Sequence, residues 1–281
     1  VRPGHPENVF FSGSGDGMVV RWDLTTPETG QLLARLPNSV YALHFDRASG
    51  QLIAGHNYEG IHFLDPETKH ENGSLQLTKA AIFDIQGTDG SLLIASGDGS
   101  VVKVDIGTRR ILKKVQLSDK SARTIAIDPL SGDIAVGFSD CSIRILDADL
   151  AVKNSWVAHS NSVFTLRYVP GKRLLLSGAR DARLKAWAAD SKYGPAGEVV
   201  AHLYAINHIE FSPDGKHFVT CSMDKSIKVW DTENLKLLKV IDRARHAGHG
   251  TSVNKLLWTS HFDELISASD DRTISVWHII F

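Results

Sequence analysis

Cysteine is scarce: only Cys141 and Cys221 occur in 281 residues, so no disulfide framework is implied, and a reducing, cytoplasmic setting is expected. Charge of one sign is also lacking. Lys+Arg is 31 and Asp+Glu is 32, which leaves a formal charge of -1. That balance argues against a general nucleic-acid or anionic-membrane binder, which would carry a basic excess. No apolar run approaches ~18 residues, so no membrane span is expected. No charged-then-apolar leader opens the chain. No long stretch carries an apolar stripe of period 3.6, so helices should be few.

What is present is a repeat. Its clearest copy is Ser222-Met223-Asp224-Lys225-Ser226-Ile227-Lys228-Val229-Trp230-Asp231, which reads as a strand end, a tight turn carrying Asp, and a second strand ending on Trp-Asp. The corresponding strand ends are Trp22, Leu64, Val104, Leu146, Trp187, Trp230 and Trp277, at spacings of 42, 40, 42, 41, 43 and 47. Six positions earlier stand Asp16, Tyr58, Asp98, Asp140, Asp181, Asp224 and Asp271. Each unit reads as four short strands rich in β-branched and apolar residues. In the sixth these are Ile206 to Phe211, His217 to Cys221, Ser226 to Trp230 and Leu235 to Ile241, with the turn Ser212-Pro213-Asp214-Gly215 after the first. One such sheet cannot cover both of its faces, but seven arranged radially can. The expected fold is therefore all-β, a seven-bladed β-propeller of four-stranded antiparallel blades, in one domain over residues 1–281.

At these residues the chain resembles the WD-repeat (WD40-type) β-propeller family. Trp22-Asp23 and Trp230-Asp231 carry the naming dipeptide, degraded elsewhere to Leu64-Asp65, Val104-Asp105, Leu146-Asp147, Trp187-Ala188 and Trp277-His278. The resemblance implies a buried tetrad in each good blade: His before the first strand, Ser or Thr on the second, Asp in the turn, Trp on the third. Three units match it: His159, Ser177, Asp181 and Trp187; His202, Thr220, Asp224 and Trp230; and His249, Ser267, Asp271 and Trp277. The first unit has Ser12, Asp16 and Trp22 without the His. Units two to four hold Leu36, Ala54, Tyr58, Leu64; Thr78, Ile94, Asp98, Val104; and Ser118, Val136, Asp140, Leu146. The hydroxyl and the Trp are thus replaced together, which costs little, whereas replacing one would strand the other.

A Ser, a His and an Asp together also read as a catalytic triad. The set occurs three times, each with a Trp whose N–H needs an acceptor, and a nucleophile needs an open site, so a structural network is the better reading. Gly13-Ser14-Gly15-Asp16-Gly17 and Gly97-Asp98-Gly99 look like phosphate cradles. Neither leads into Lys-Ser/Thr or a helix, so both read as turns. His44, His56 and His62 fall close together in unit two, and His246 lies near His249. No Cys or carboxylate joins them at zinc-ligand spacing, so neither a metal nor a cofactor is expected.

The family often binds partners on the face where the fourth-to-first and second-to-third strand loops emerge. Carried over, the partner-facing residues are Tyr41, Phe83, Arg123, Phe164, Arg180, Asn207, Met223, Asn254 and Asp270. Aromatics and Arg are the types enriched at interface hot spots, and an alternative is that the aromatics only plug a channel mouth. Arg243, Arg245 and His246 form a basic insert before unit seven. The expected function is non-catalytic: a scaffold binding a protein or peptide segment. The alternative is a propeller enzyme with a metal or acid/base site in the central channel, for which His208 and Glu210 are the candidates. The family usually completes its last blade with an N-terminal strand. After Trp277 only four residues remain, and Val1-Arg2-Pro3 falls where a first strand would end. The outer strand of blade seven and the inner strand of blade one are therefore expected to be missing, with about two strands of further N-terminal sequence in the native protein.

Overall fold

The structure, a computed structural model, describes residues 1–280. It is built from seven antiparallel sheets, each formed by strands consecutive in the chain. Contacts along the chain divide it into two compact units, residues 1–125 and residues from 126 onward.

The first unit holds three four-stranded sheets. Blade one is β1 (Arg2–Pro3), β2 (Val9–Gly13), β3 (Met18–Asp23) and β4 (Gln31–Arg35). Blade two is β5 (Val40–Asp46), β6 (Gln51–His56), β7 (Gly60–Leu64) and β8 (Glu71–Leu75). Blade three is β9 (Ile82–Thr88), β10 (Ser91–Ser96), β11 (Ser100–Asp105) and β12 (Arg110–Gln116). The division of the chain falls inside β13 (Ala122–Ile127). That strand forms blade four with β14 (Ile134–Phe138), β15 (Ser142–Leu146) and β16 (Val152–Val157).

The second unit continues with blade five, β17 (Val163–Tyr168), β18 (Leu174–Ala179), β19 (Arg183–Ala188) and β20 (Gly194–Val200). Blade six is β21 (Ile206–Phe211), β22 (His217–Ser222), β23 (Ile227–Asp231) and β24 (Leu237–Ile241). Blade seven is β25 (Val253–Trp258), β26 (Glu264–Ser269) and β27 (Ile274–His278), three strands among the described residues. Among the described residues helix is confined to a 3-10 turn at Ala189–Ser191 and one α-turn, α1 (Arg243–His246), whose Arg245 N–H donates to Asp242 at 2.9 Å. No helix among the described residues is long and apolar enough to cross a membrane. The expectation that blade one lacks its inner strand is corrected: Arg2 and Pro3 pair with Phe11 and Phe10.

The period follows from how the sheets are covered. Middle strands such as β6 and β10 are buried along both faces, so one sheet cannot stand alone. Each apolar cluster is shared by successive blades. Val9, Phe11, Leu43 and Leu52 join blades one and two, and Ile53, Phe63, Ile85 and Ile94 join blades two and three. In the second unit, Leu176, Ile206 and Phe218 join blades five and six, and Val219, Val229, Val253 and Leu265 join six and seven. Burying one Ile or Leu side chain contributes about 1.5–3 kcal/mol. The fourth strands are exposed and charged, as in β12 with Arg110, Lys113 and Lys114, which protects their outer edges from further pairing.

One turn recurs in six blades. The residue after the turn Asp is left-handed: Gly17, Gly99, Cys141, Ala182, Lys225 and Arg272 have φ between 64 and 84°. At Gly17 and Gly99 a Cβ would meet the carbonyl oxygens of Leu36 and Ser118 at 2.0 and 2.1 Å, so only glycine fits there. The glycine-rich stretches are hairpin turns. Blade two departs from the pattern: Tyr58 itself is left-handed at φ 77°, and His56 pairs directly with Gly60.

Candidate functional site

In blades five to seven a chain of hydrogen bonds runs through the buried sheet. Trp230 lies opposite Phe218 in the register of β22 and β23 and stacks on it, 6.0 Å apart with planes at 8°. Thr220, two residues beyond Phe218 on the same face, is the diagonal neighbour that the indole reaches. Trp230 Nε1–H donates to Thr220 Oγ1 at 2.9 Å, His202 Nε2 lies 2.8 Å from that hydroxyl, and His202 Nδ1 lies 2.9 Å from Asp224 Oδ2. Blade five has Trp187 to Ser177 at 2.8 Å, Ser177 to His159 at 2.7 Å and His159 to Asp181 at 3.0 Å. Blade seven has Trp277 to Ser267 at 2.8 Å, Ser267 to His249 at 2.7 Å and His249 to Asp271 at 3.0 Å.

One proton arrangement satisfies every group. Indole N–H donates to hydroxyl, hydroxyl donates to Nε2, and Nδ1–H donates to an ionised Asp. Burial pushes the His202 pKa down, against the pull of Asp224, which keeps the imidazole neutral. Burial alone would raise the Asp181 and Asp224 carboxyls, but hydrogen bonds, the largest of them from His159 and His202, hold both well below the usual range. Ser177 and Ser267 are fully buried and already accept an indole proton, so neither hydroxyl has a face open to a substrate.

The same positions in blades two to four are apolar and closed. Ala54, Ile94 and Val136 are fully buried, as are Val104 and Leu146, with Leu64 nearly so. Asp98 and Asp140 keep local partners: the Ser100 and Ser142 N–H groups donate to them at 3.0 Å each. Blade one retains a fragment, Trp22 Nε1–H donating to Ser12 Oγ at 2.9 Å.

Among the loop residues singled out for partner contact, three meet in the first unit. The Arg123 guanidinium sits 3.8 Å from the centroid of the Phe83 ring, and Tyr41 tilts against Phe83 at 5.8 Å. Tyr41 is 48% exposed while Phe83 and Arg123 are half-buried, so a stacked cation is held in place below an accessible ring. Burial lowers the Arg123 pKa, and Tyr41 opposes that. In the second unit Asn207 donates to the Val253 carbonyl at 2.8 Å and lies 3.3 Å from Asn254 Oδ1, and Asn254 donates to Asp270 at 2.5 Å. Met223 and Arg180 are exposed and Phe164 is half-buried. The Arg180 and Met223 backbone N–H groups donate to the Ser162 and Ala205 carbonyls, which fixes both turns.

His208 and Glu210, the candidates for channel chemistry, are engaged by one cation. Arg167 Nη2 donates to Glu210 Oε2 at 3.3 Å and lies 3.1 Å from His208 Nε2.

Two polar centres escape sequence reasoning. Asp84, buried in β9, accepts from Arg2 at 3.0 Å, Gln86 at 3.0 Å and the Ile125 N–H at 2.8 Å. A lone Asp inside an apolar strand was its only signal. The second centre corrects the view that no carboxylate joins the blade-two histidines. His56, Glu59 and His62 have ligand atoms within 4.8 Å of one another, and His44 is not among them.

Comparison with known proteins shows what the chain is similar to. The model described as "WD domain, G-beta repeat" matches residues 151–188, 195–231 and 241–278, the three segments that hold the complete networks. Nuclear distribution protein PAC1 of Arthroderma otae is 26% identical over 56% of this chain and 35% of its own length. WD repeat-containing protein 1-B of Xenopus laevis is 22% identical over 98% of this chain and 45% of its own length. The chain thus spans between about a third and a half of these relatives. The crystal structure of the WD40 beta propeller domain of Doa1 superposes with a TM-score of 0.84, covering 96% of this chain and 88% of that one at 17% identity. The fold is a β-propeller of seven blades, and three of its repeats match the WD-repeat model directly.

Proposed function

We propose that this chain is a non-catalytic scaffold that captures a protein segment through the loops joining the fourth to the first strands and the second to the third. WD-repeat propellers generally act as protein-interaction scaffolds. The observation that carries the reading here is the Tyr41–Phe83–Arg123 stack. A cation over an aromatic face contributes about 0.5–2 kcal/mol and is already ordered before a partner arrives, so little side-chain entropy is lost on binding. The arginine beside two rings favours an acidic or aromatic-containing segment. In the second unit Phe164, Arg180, Asn207, Met223, Asn254 and Asp270 supply loop contacts of the same kind. The two cysteines are free thiols, Cys221 buried, which suits work in a reducing compartment such as the cytoplasm.

The test is affinity capture followed by mass spectrometry with the wild-type chain, with Tyr41→Ala/Arg123→Ala and with Phe164→Ala/Arg180→Ala. Partners recovered with the wild type should be lost from at least the first variant while its unfolding transition stays in place. Equal recovery from all three chains would show that these loops are not the binding surface.

A further inference from the structure

We propose that the β6–β7 hairpin of blade two is a binding site for a divalent transition metal of the zinc class, with His56, His62 and Glu59 as ligands and Glu71 as the group that orients His62. This hairpin lacks the Asp turn of the other six blades. Its five residues, His56-Asn57-Tyr58-Glu59-Gly60, close with His56 paired to Gly60 and Tyr58 in the left-handed region. That geometry places Glu59 beside the end of β6, with its carboxylate 3.8 Å from His56 Nε2.

The two rings face each other nitrogen to nitrogen. His56 Nε2 and His62 Nε2 are 2.6 Å apart, with ring centroids 4.7 Å apart. Two imidazole nitrogens so placed share either one proton or one cation. His62 Nδ1 lies 2.8 Å from Glu71 Oε1, so its N–H is donated there and the Nε2 lone pair points at His56. A carboxylate behind a histidine in this way fixes the tautomer and strengthens the ligand. Without an ion the His56 proton therefore sits on Nε2, between the rings, while His56 Nδ1 is buried with no hydrogen-bond partner to compete for it. Moving it to Nδ1 frees a second lone pair aimed at the same point. His56 is fully buried and His62 is 7% exposed, while the Glu59 side chain is 55% exposed and forms the open side by which an ion would enter.

The donor set selects the metal class. Two imidazoles and one carboxylate suit Zn²⁺ and its neighbours rather than Mg²⁺ or Ca²⁺, which prefer all-oxygen shells. Tetrahedral ligation at ~2.0–2.1 Å requires the two nitrogens to open to about 3.3 Å, a shift of under 1 Å. The exposed side leaves a coordination position for water or a partner's side chain.

The experiment is calorimetric titration of chelator-treated protein with Zn²⁺, using wild type, Glu59→Gln, Glu71→Gln and His62→Gln. Wild type should take up one equivalent in its tightest phase. Glu59→Gln and Glu71→Gln, both at exposed carboxylates, should weaken that phase ~10–100-fold, and His62→Gln should abolish it. Absence of a one-equivalent phase, or a phase of unchanged affinity in Glu59→Gln, would overturn the proposal even if His62→Gln failed to fold.

Discussion

In blade six, indole, hydroxyl, imidazole and carboxylate run in line from Trp230 to Asp224; in blade three the same four positions hold Val104, Ile94, Thr78 and Asp98. Both solutions are closed. Ile94 and Val104 are fully buried and ask for no partner, and Thr78 donates to Asp98 at 2.8 Å in place of an imidazole. Burial alone would raise the Asp98 carboxyl, yet hydrogen bonds from Ser96, Ser100 and Thr78 hold it well below the usual range. The difference teaches that the hydroxyl and the indole are retained or discarded together, while the Asp persists without them on local turn bonds. The two are worth little separately, because each satisfies a desolvation cost that the other creates.

The comparison breaks most visibly when half of a set is installed. Ile94→Ser introduces a hydroxyl into the first unit with no indole to receive and no imidazole to meet. It should lower unfolding free energy by about 4 kcal/mol, combining a cavity with an unpaired polar group. The shift in denaturant midpoint measures it; a cost near that of a single lost methylene would mean that blade three tolerates unpartnered polarity. The reverse operation in the second unit is His202→Ala. It leaves Thr220 without its acceptor and Asp224 without its main counter-group, at about 3 kcal/mol. Faster amide exchange should be concentrated in β22 and β23, and a loss spread evenly along the chain would contradict a blade-level network.

Acid sharpens the contrast. Burial, with Arg2 adding to it, pushes the His44 pKa in the first unit down to about 4. A depressed imidazole is neutral in the fold and binds a proton more readily when unfolded. Its contribution is therefore complete above pH ~6.5 and is lost as pH falls from there towards 4. With part of the ring near solvent, roughly 2 kcal/mol should go, and His44→Gln should flatten that limb of the stability–pH curve. His202 is lowered in the same direction, but Asp224 opposes its burial, so the second unit should lose less over the same window. The depressed carboxylates Asp98, Asp181, Asp224 and Asp271 act lower: their stabilisation is present above pH ~3.9 and disappears as pH falls further.

The blades were legible in sequence because the period is imposed by covering both sheet faces, and turn chemistry marks each copy. Ile206–Phe211 was readable to the residue, whereas the fourth strand of blade six begins at Leu237 rather than Leu235, since the outer edge carries no buried pattern. The spacing names Trp230 and Thr220, but their contact depends on the Phe218–Trp230 register, which one slipped residue would destroy. Long-range charge was not legible. Asp84 meets Arg2 across 82 positions, and nothing local in either segment announces the other. The blade-two histidines were visible, but Glu59 was not assigned to them, because its approach to His56 depends on the turn at the left-handed Tyr58, which replaces the Asp turn of the other blades.

The smallest expected effect is the most discriminating. If the polar chain is held by mutual dependence, converting blade six to the blade-three solution should cost less than damaging it. The triple variant His202→Leu/Thr220→Val/Trp230→Phe removes imidazole, hydroxyl and indole N–H together. Phe at 230 can keep the stack on Phe218, and Val at 220 keeps the shape of Thr. Asp224 remains supported by the Ser226 N–H at 3.0 Å, the Ser226 hydroxyl at 2.6 Å and the Leu203 N–H at 3.0 Å, much as Asp98 is by Ser96 and Ser100. The expected loss is about 1 kcal/mol, from the smaller ring alone, against about 3 for His202→Ala. Denaturant unfolding of the single, double and triple variants forms a cycle whose coupling should be strongly favourable to joint removal. A triple variant less stable than His202→Ala would mean that the network stabilises the second unit in its own right, and that the first unit makes up the difference by packing.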